Sequence, residues 1–434
     1  MAKKLTRNLI KIKRLQKYDI DIENIDFAVL KNFKEKCKYI TDFRMKNKNT
    51  YKIWDIVVVA FLATLANCNN WEEIERFANK KYTWLRNFLQ LTGGIPCAST
   101  YKNVFAIIKS NELEDILISF YTDIISLFSS NVDILNIDGK TDNASGRNKN
   151  ELRDKIRNLN SLNIYSNNLG ICLASEMIDE KTNEITAVPN LLSRVNIKDC
   201  VVTCDALNTQ KNTVNAVINN KGNYVFALKG NQHNFYDDVT LFFDEEHLNI
   251  IRSGHKGVYL THNEKSHSSI IKYEYFQTED INWFSDKESW NGLKSFGLVI
   301  KTTTKNMEVE KKKKDGSKVK KLEEVTSVEK RYYISSLNHN IVLFSNSIRK
   351  HWSVENKLHW HLDFTFDCDN NTTIDKYALL NLQIVKKFSL ALLNKSKDVY
   401  DDSLKGIRQT ISLDFENEII RFFNIVGRKK KTVF

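Results

Sequence analysis

The chain has 434 residues, 42% hydrophobic and 11% aromatic, enough for a sizeable core but too long for a single one, so two or three domains are expected. No run of about 20 apolar residues could span a bilayer, and Met1-Ala2-Lys3-Lys4 leads into mixed basic and apolar residues instead of a secretory segment, so a soluble cytoplasmic protein is expected. Seven scattered cysteines without a C-x-x-C pair argue for reduced thiols over disulfides or a structural zinc, and the net charge of +12 points to a polyanion such as nucleic acid. The sequence is also rich in Asn, Ile and Lys, a composition that AT-rich coding produces without selection for charge, so local clusters carry more weight than the total.

Residues 1–50 read as a basic arm or peripheral helices, from Lys3 and Lys11 to Lys46 and Lys48. Residues 51–129 read as a small all-helical domain suited to DNA. The apolar run Ile53–Leu65 pauses at Asn67–Asn70, where Asn70 can cap a helix whose third residue is Glu73 and whose buried face is Trp71, Ile74, Phe77 and Ala78. Gly93-Gly94-Ile95-Pro96 breaks the pattern, and Ser99 or Thr100 is expected to cap the next helix.

From about 130 to 240 short apolar runs divided by Asn and Gly predict an α/β sheet. Strands are expected at 134–137, 162–166, 170–178, 200–204 and 224–228, with helices at 185–195 and 209–218. Two strands run into aspartate, at Ile137-Asp138-Gly139-Lys140 and Cys204-Asp205-Ala206, where ligands of open α/β sheets gather. An aspartate there also serves commonly as a turn or cap residue. Aromatic and β-branched residues over 241–340 suggest a β-rich insertion, with the basic run Lys311–Lys314 as a solvated hairpin tip. Residues 341–395 return to helix, ending in the apolar stretch Tyr377–Leu393, and 396–434 read as a basic C-terminal tail.

The stretch from Arg349 to Trp360 holds the most informative misfit. On a helix of about 100° per residue, Ile348, His351, Trp352, Val354, Leu358, His359 and Leu362 share one face, and Glu355 falls in its middle. An ionised carboxylate removed from water costs several kcal/mol unless cations hold it, so Glu355 is expected either to meet a metal ion or to sit at a helix rim beside a lysine. With Asp138 and Asp205 it makes three carboxylates from distant parts of the chain, a donor set suited to hard divalent ions and two-metal phosphoryl transfer.

In these motifs the chain resembles the bacterial insertion-sequence DDE transposases of the H-repeat-associated type. The resemblance runs from Asn70-Trp71-Glu72-Glu73-Ile74 and Gly94-Ile95-Pro96 through Asp138-Gly139-Lys140-Thr141, Lys181-Thr182-Asn183-Glu184-Ile185 and Asp205-Ala206 with Gln210. It continues through Ala227-Leu228-Lys229-Gly230-Asn231-Gln232 and Arg331–Leu337 to His351-Trp352, Glu355-Asn356 and Leu358-His359-Trp360. It implies an RNase H-like mixed sheet with flanking helices, the β-rich insertion lying before the last catalytic helix. It also implies an enzyme that binds terminal inverted repeats and target DNA as a homodimer or larger assembly, using Mg²⁺ or, in its place, Mn²⁺. Asp138, Asp205 and Glu355 would be the catalytic metal ligands. Lys140, Lys181, Lys229, Asn231 and Gln232 would face DNA, with Arg147, Arg349, His351, Trp352 and Asn356 as further contacts.

The chain departs from the family at Asp142-Asn143, where an arginine is common, and at Asn370–Ile374, where a basic stretch is usual. A competing reading takes His359-Trp360-His361-Leu362-Asp363 as the H-x-H-x-D motif of a zinc metallohydrolase, although on a helix His359 and His361 would point about 200° apart. Another is a retired transposase that persists as a DNA-binding protein.

Overall fold

The computed structural model describes residues 27–45, 49–125, 132–146, 157–178, 181–266, 269–312 and 318–427. They form two compact units, one from 1–131, 138–187 and 353–434, the other from 132–137 and 188–352. Among the described residues no helix is long and apolar enough to cross a membrane, and every described cysteine is free.

The first unit is built around two helices whose sequences leave little polar surface. Ile53–Leu65 is apolar all round and accordingly buried from Asp55 to Leu65. Lys376–Tyr400 is buried from Ala378 to Leu393, and its Phe388 packs against Phe61, Phe120 and Tyr121. The helix Trp71–Lys80 starts as its sequence dictates: the Asn70 side chain accepts from the Glu73 N–H at 2.9 Å, while Glu73 accepts from the Asn69 N–H at 2.6 Å. The helix Ala98–Ile107 begins before the expected caps Ser99 and Thr100, because the Glu75 carboxylate takes the Ala98 N–H at 2.7 Å.

Two stretches read as peripheral contribute to this core. Ala28–Cys37, inside the expected basic arm, is a helix that buries Leu30, Phe33 and Cys37. The expected C-terminal tail holds helices Leu404–Leu413 and Phe415–Val426, which bury Leu404, Ile407, Ile411, Phe415, Ile419 and Phe423. Residues 1–26 and 428–434, with the remaining basic clusters, lie outside the described residues.

The structure is mixed α/β, as expected. In the first unit the strand order is β3-β2-β1, with β1 Ile134–Asp142, β2 Leu159–Ser166 and β3 Ile171–Ile178, β2 and β3 being antiparallel. The opening residues of β1 belong to the second unit, where the order is β1-β4-β5-β9-β8-β7-β6. There β4 (Val201–Cys204) and β5 (Asn223–Leu228) run parallel to β1. The insertion supplies antiparallel β6 (Val258–Ser266), β7 (Ser269–Thr278), β8 (Ser295–Lys312) and β9 (Lys318–Ser335), with β9 returning along β5. Pairing of β8 with β9 extends to Lys312 opposite Lys318, and the centre of the expected hairpin tip falls outside the described residues. The insertion also contains a helix, Glu245–Arg252, capped by Asp244 and burying Leu248 and Ile251.

Candidate active site

Parallel pairing of β1 with β4 ends at Ile137 opposite Cys204, and the residues that follow this pair in the two strands are Asp138 and Asp205. Asp138 is not the end of its strand, contrary to the sequence reading. The strand runs on to Asp142 because its second half leaves β4 and serves the first unit. The Asp138 side chain is 21% exposed, and its Oδ1 accepts from the Gly139 N–H at 2.9 Å. Gly139 gives room to a further carboxylate: a Cβ there would stand 3.2 Å from Oε1 of the buried Glu184.

Asp205 is exposed and caps the short turn Ala206–Asn208. Its Oδ1 accepts from the Asn208 backbone N–H at 3.3 Å and from the Asn208 amide at 3.1 Å. Asn231 donates to the Ala206 carbonyl at 2.7 Å and Gln232 to the Thr209 carbonyl at 3.0 Å. These amides, expected to face DNA, brace the loop that carries Asp205. A cavity of about 310 Å³ opens beside it, lined by Asp205, Lys229, Tyr236, Arg331, His351 and Trp352. In that wall His351 Nδ1 lies 3.0 Å from the Thr203 hydroxyl, and the half-exposed Trp352 ring carries the Arg331 guanidinium 4.1 Å from its centroid. Lys229 is exposed, and Arg349 pairs with Glu264.

Glu355 differs from its expected setting. Its side chain is 63% exposed, so the carboxylate is not embedded in an apolar face. The cause is a π-helical turn over Glu355–His359, in which the Trp360 N–H donates to the Glu355 carbonyl. The wider turn keeps Val354, Leu358 and Leu362 buried while Glu355, Asn356 and Lys357 face outward. Such π turns recur at functional sites. The Glu355 carboxylate still reaches Asp138, because one donor atom from each of Asp138, Glu355 and His359 falls within 4.8 Å of the others. His359 Nδ1 is 3.5 Å from an oxygen of each acid.

A profile for the Transposase DDE domain matches residues 133–376, and one for the DDE_Tnp_1-associated domain matches 35–121. The chain belongs to the DDE transposases. YncI of Escherichia coli O157:H7, which bears a transposase name, is 29% identical over 379 residues, 86% of this chain and 90% of YncI. YhhI of Escherichia coli K12, an H repeat-associated protein, is 29% identical over 345 residues, 79% of this chain and 84% of YhhI. A Xanthobacter autotrophicus protein in the dhlA 3′ region is 31% identical over 273 residues, 63% of this chain and 89% of its own length. A piggyBac transposase synaptic complex with hairpin DNA aligns over 95% of this chain and 81% of its own at TM-score 0.37 and 11% identity, a likeness too distant to bear on the fold.

Within this DDE chain one expected DNA contact is displaced inward. Lys140 is 6% exposed, and its ammonium lies 2.5 Å from Asp363, 3.7 Å from Asp369 and 3.8 Å from Asp142. Its strand position, two residues from Asp138, turns it to the same side as that acid. Burial alone would lower the Lys140 pKa, but the charges of Asp142 and Asp363 raise it, whereas burial pushes Asp142 and Asp363 up. Asn143, in the Asp142-Asn143 pair where the chain departs from the family, donates to Asp369 at 3.2 Å. Arg147 lies outside the described residues.

The H-x-H-x-D motif does not assemble. His359 meets Asp138 and Glu355, His361 Nδ1 lies 3.0 Å from the Thr365 hydroxyl, and Asp363 accepts from Lys140. Helical spacing turns His361 away from His359 and Asp363, which lie four residues apart on one side. The sequence places His359 on the apolar face of this helix and, as a ligand candidate, in that motif. Its spacing four residues after Glu355 is the sequence signal that brings the two side chains together.

Proposed function

We propose that this chain binds the terminal inverted repeats of its own insertion sequence and catalyses DNA cleavage and strand transfer in a bacterial cytoplasm. Asp138, Asp205 and Glu355 hold the divalent ions, Mg²⁺ or in its place Mn²⁺, and the protein works on DNA as a homodimer or larger assembly. The observation that carries this reading is the convergence of Glu355 on Asp138. Carboxylate oxygens fit hard divalent ions, which supply activation of the attacking oxygen and stabilisation of the leaving one.

The protein's own contribution is orientation. The Gly139 N–H directs the Asp138 carboxylate, and Asn208 directs that of Asp205 while Asn231 and Gln232 hold its loop. Lys229 and Arg331 suit phosphates, and Trp352 and His351 give the same wall an aromatic lining. Asn356, Arg349, Lys181 and Arg147 complete the proposed contacts, the last two on family resemblance alone. Water attacks the phosphodiester at the element end and the 3′-oxygen leaves, freeing a 3′-hydroxyl. That hydroxyl attacks a target phosphodiester in line, forming a new P–O bond as the target 3′-oxygen departs.

The test is cleavage and joining of candidate element ends in Mg²⁺ buffer. Asp138→Asn, Asp205→Asn and Glu355→Gln should each abolish both steps while end binding persists. Cleavage near the wild-type rate in one variant removes that residue from the set. End binding by wild type without any cleavage would favour the retired DNA-binding protein.

A further inference from the structure

We propose that His359 is a nitrogen ligand of the divalent ion held by Asp138 and Glu355, so that this half of the site consists of two carboxylates and an imidazole. The inference rests on the DDE reading above. His359 is 6% exposed, and its Nδ1 stands 3.5 Å from Asp138 Oδ2 and 3.5 Å from Glu355 Oε2. Hydrogen bonds from a ring nitrogen to oxygen close to about 2.7–3.2 Å, so the imidazole is committed to neither acid. Ligand atoms at about 2.1 Å from an octahedral ion lie roughly 3.0 Å apart when adjacent and 4.2 Å apart when opposite. The 3.5 Å separations fall between these values, and the whole donor set lies within 4.8 Å.

The local fold explains why a histidine is held there. The π turn places Glu355 and His359 at its two ends, and burial of the neighbouring Leu358 draws this side of the turn inward. On the far side of the ring, Nε2 is buried with no hydrogen-bond partner among the described residues. Leaving such a nitrogen unpaired is destabilising, so an apolar residue would serve packing better and the imidazole needs another reason to be present. Ion ligation by Nδ1 provides one. Imidazole suits borderline transition ions better than Mg²⁺ or Ca²⁺, so the site should favour Mn²⁺ over Mg²⁺.

The experiment uses the full chain loaded with Mn²⁺. Pulsed electron paramagnetic resonance should detect a directly bound nitrogen in wild type, which changes frequency when the histidines carry ¹⁵N and disappears in His359→Asn and His359→Gln. By calorimetry both variants should lose at least the ~10–100-fold in Mn²⁺ affinity typical of losing even an outer-shell partner, with a smaller loss for Mg²⁺. Mn²⁺ binding that depends on Asp138 but shows no histidine nitrogen overturns the proposal and leaves the DDE reading standing, as does a nitrogen signal that survives both variants. Mn²⁺ binding indifferent to Asp138→Asn would instead overturn the site itself. Absence of any histidine nitrogen from the labelled wild-type spectrum overturns the proposal even if both variants fail to fold.

Discussion

Lys140 on β1 donates to Asp363, eight residues beyond Glu355, across 2.5 Å, and the lysine side chain is only 4% exposed. Asp138 and Lys140 lie two residues apart on one face of the strand, and Glu355, His359 and Asp363 follow at four-residue intervals. The ion pair therefore fixes how the strand and the segment carrying Glu355 align. Removing the cation leaves Asp142, Asp363 and Asp369 together without it. Lys140→Met should cost about 3–5 kcal/mol in denaturant melts at neutral pH, the range for breaking a buried pair.

That cost should depend on pH with a definite sign. Burial raises Asp142 and Asp363 above the usual aspartate range. Stability tied to their protonated forms is fully present below the ordinary aspartate pKa and is lost as pH rises through the raised values. Loss of Lys140 should raise them further, so melts of Lys140→Met and wild type should converge towards pH 4. A constant gap from pH 8 to pH 4 would show that the loss is one of packing. Being buried, Lys140 should leave the salt dependence of DNA binding unchanged, whereas Lys229→Ala should flatten its slope by about one unit.

Glu355→Leu should be inactive, with stability within about 0.5 kcal/mol of wild type in EDTA, as for an exposed substitution. A buried carboxylate would have predicted a gain of stability, but the 63% exposure of this side chain removes that expectation. Parallel melts and cleavage assays check both halves. A large stabilisation would show that the carboxylate is desolvated after all.

Arg408 should prove the most sensitive polar residue of the first unit. It is fully buried, donating to the Thr64, Cys68 and Thr365 carbonyls and to Asn69, with its guanidinium 4.1 Å from the Phe366 ring centroid. Burial lowers its pKa to about 10. Arg408→Leu strands several carbonyls and should cost about 3 kcal/mol or more. Arg408→Lys should recover only part, since an ammonium cannot reproduce the planar fork. Thermal melts that place the lysine variant at wild type would refute the geometric argument.

Burial, and then the charge of Lys397, holds the His361 pKa below the ordinary histidine value. Its contribution to stability is present above about pH 6.5 and is lost as pH falls through the lowered value. His361→Gln should therefore flatten the fall in stability between pH 7 and pH 5, read from denaturant midpoints. An unchanged pH profile would place the acid sensitivity elsewhere.

Local pattern determined much of this protein before any contact was known. The apolar run Ile53–Leu65 is a helix with those same ends, and Asn70 with Glu73 starts the next, because continuous hydrophobicity and free backbone donors act within a few residues. The β–Asp texture likewise put Asp205 just past the end of β4, since a parallel strand buried on both faces is apolar, whereas Asp138 lies within β1, just past its last pair with β4. Tertiary structure alone decided what those residues meet. Period-two alternation sets the side of β1 that Lys140 faces, but not that three aspartates wait there. Ideal helical spacing put Glu355 inside, and one wider turn, stabilised by packing of Val354, Leu358 and Leu362, put it outside. The C-terminal helices looked like a tail because part of their burial comes from partners hundreds of residues earlier in the chain, as when Phe423 meets Phe61 and Phe120, which no local window contains.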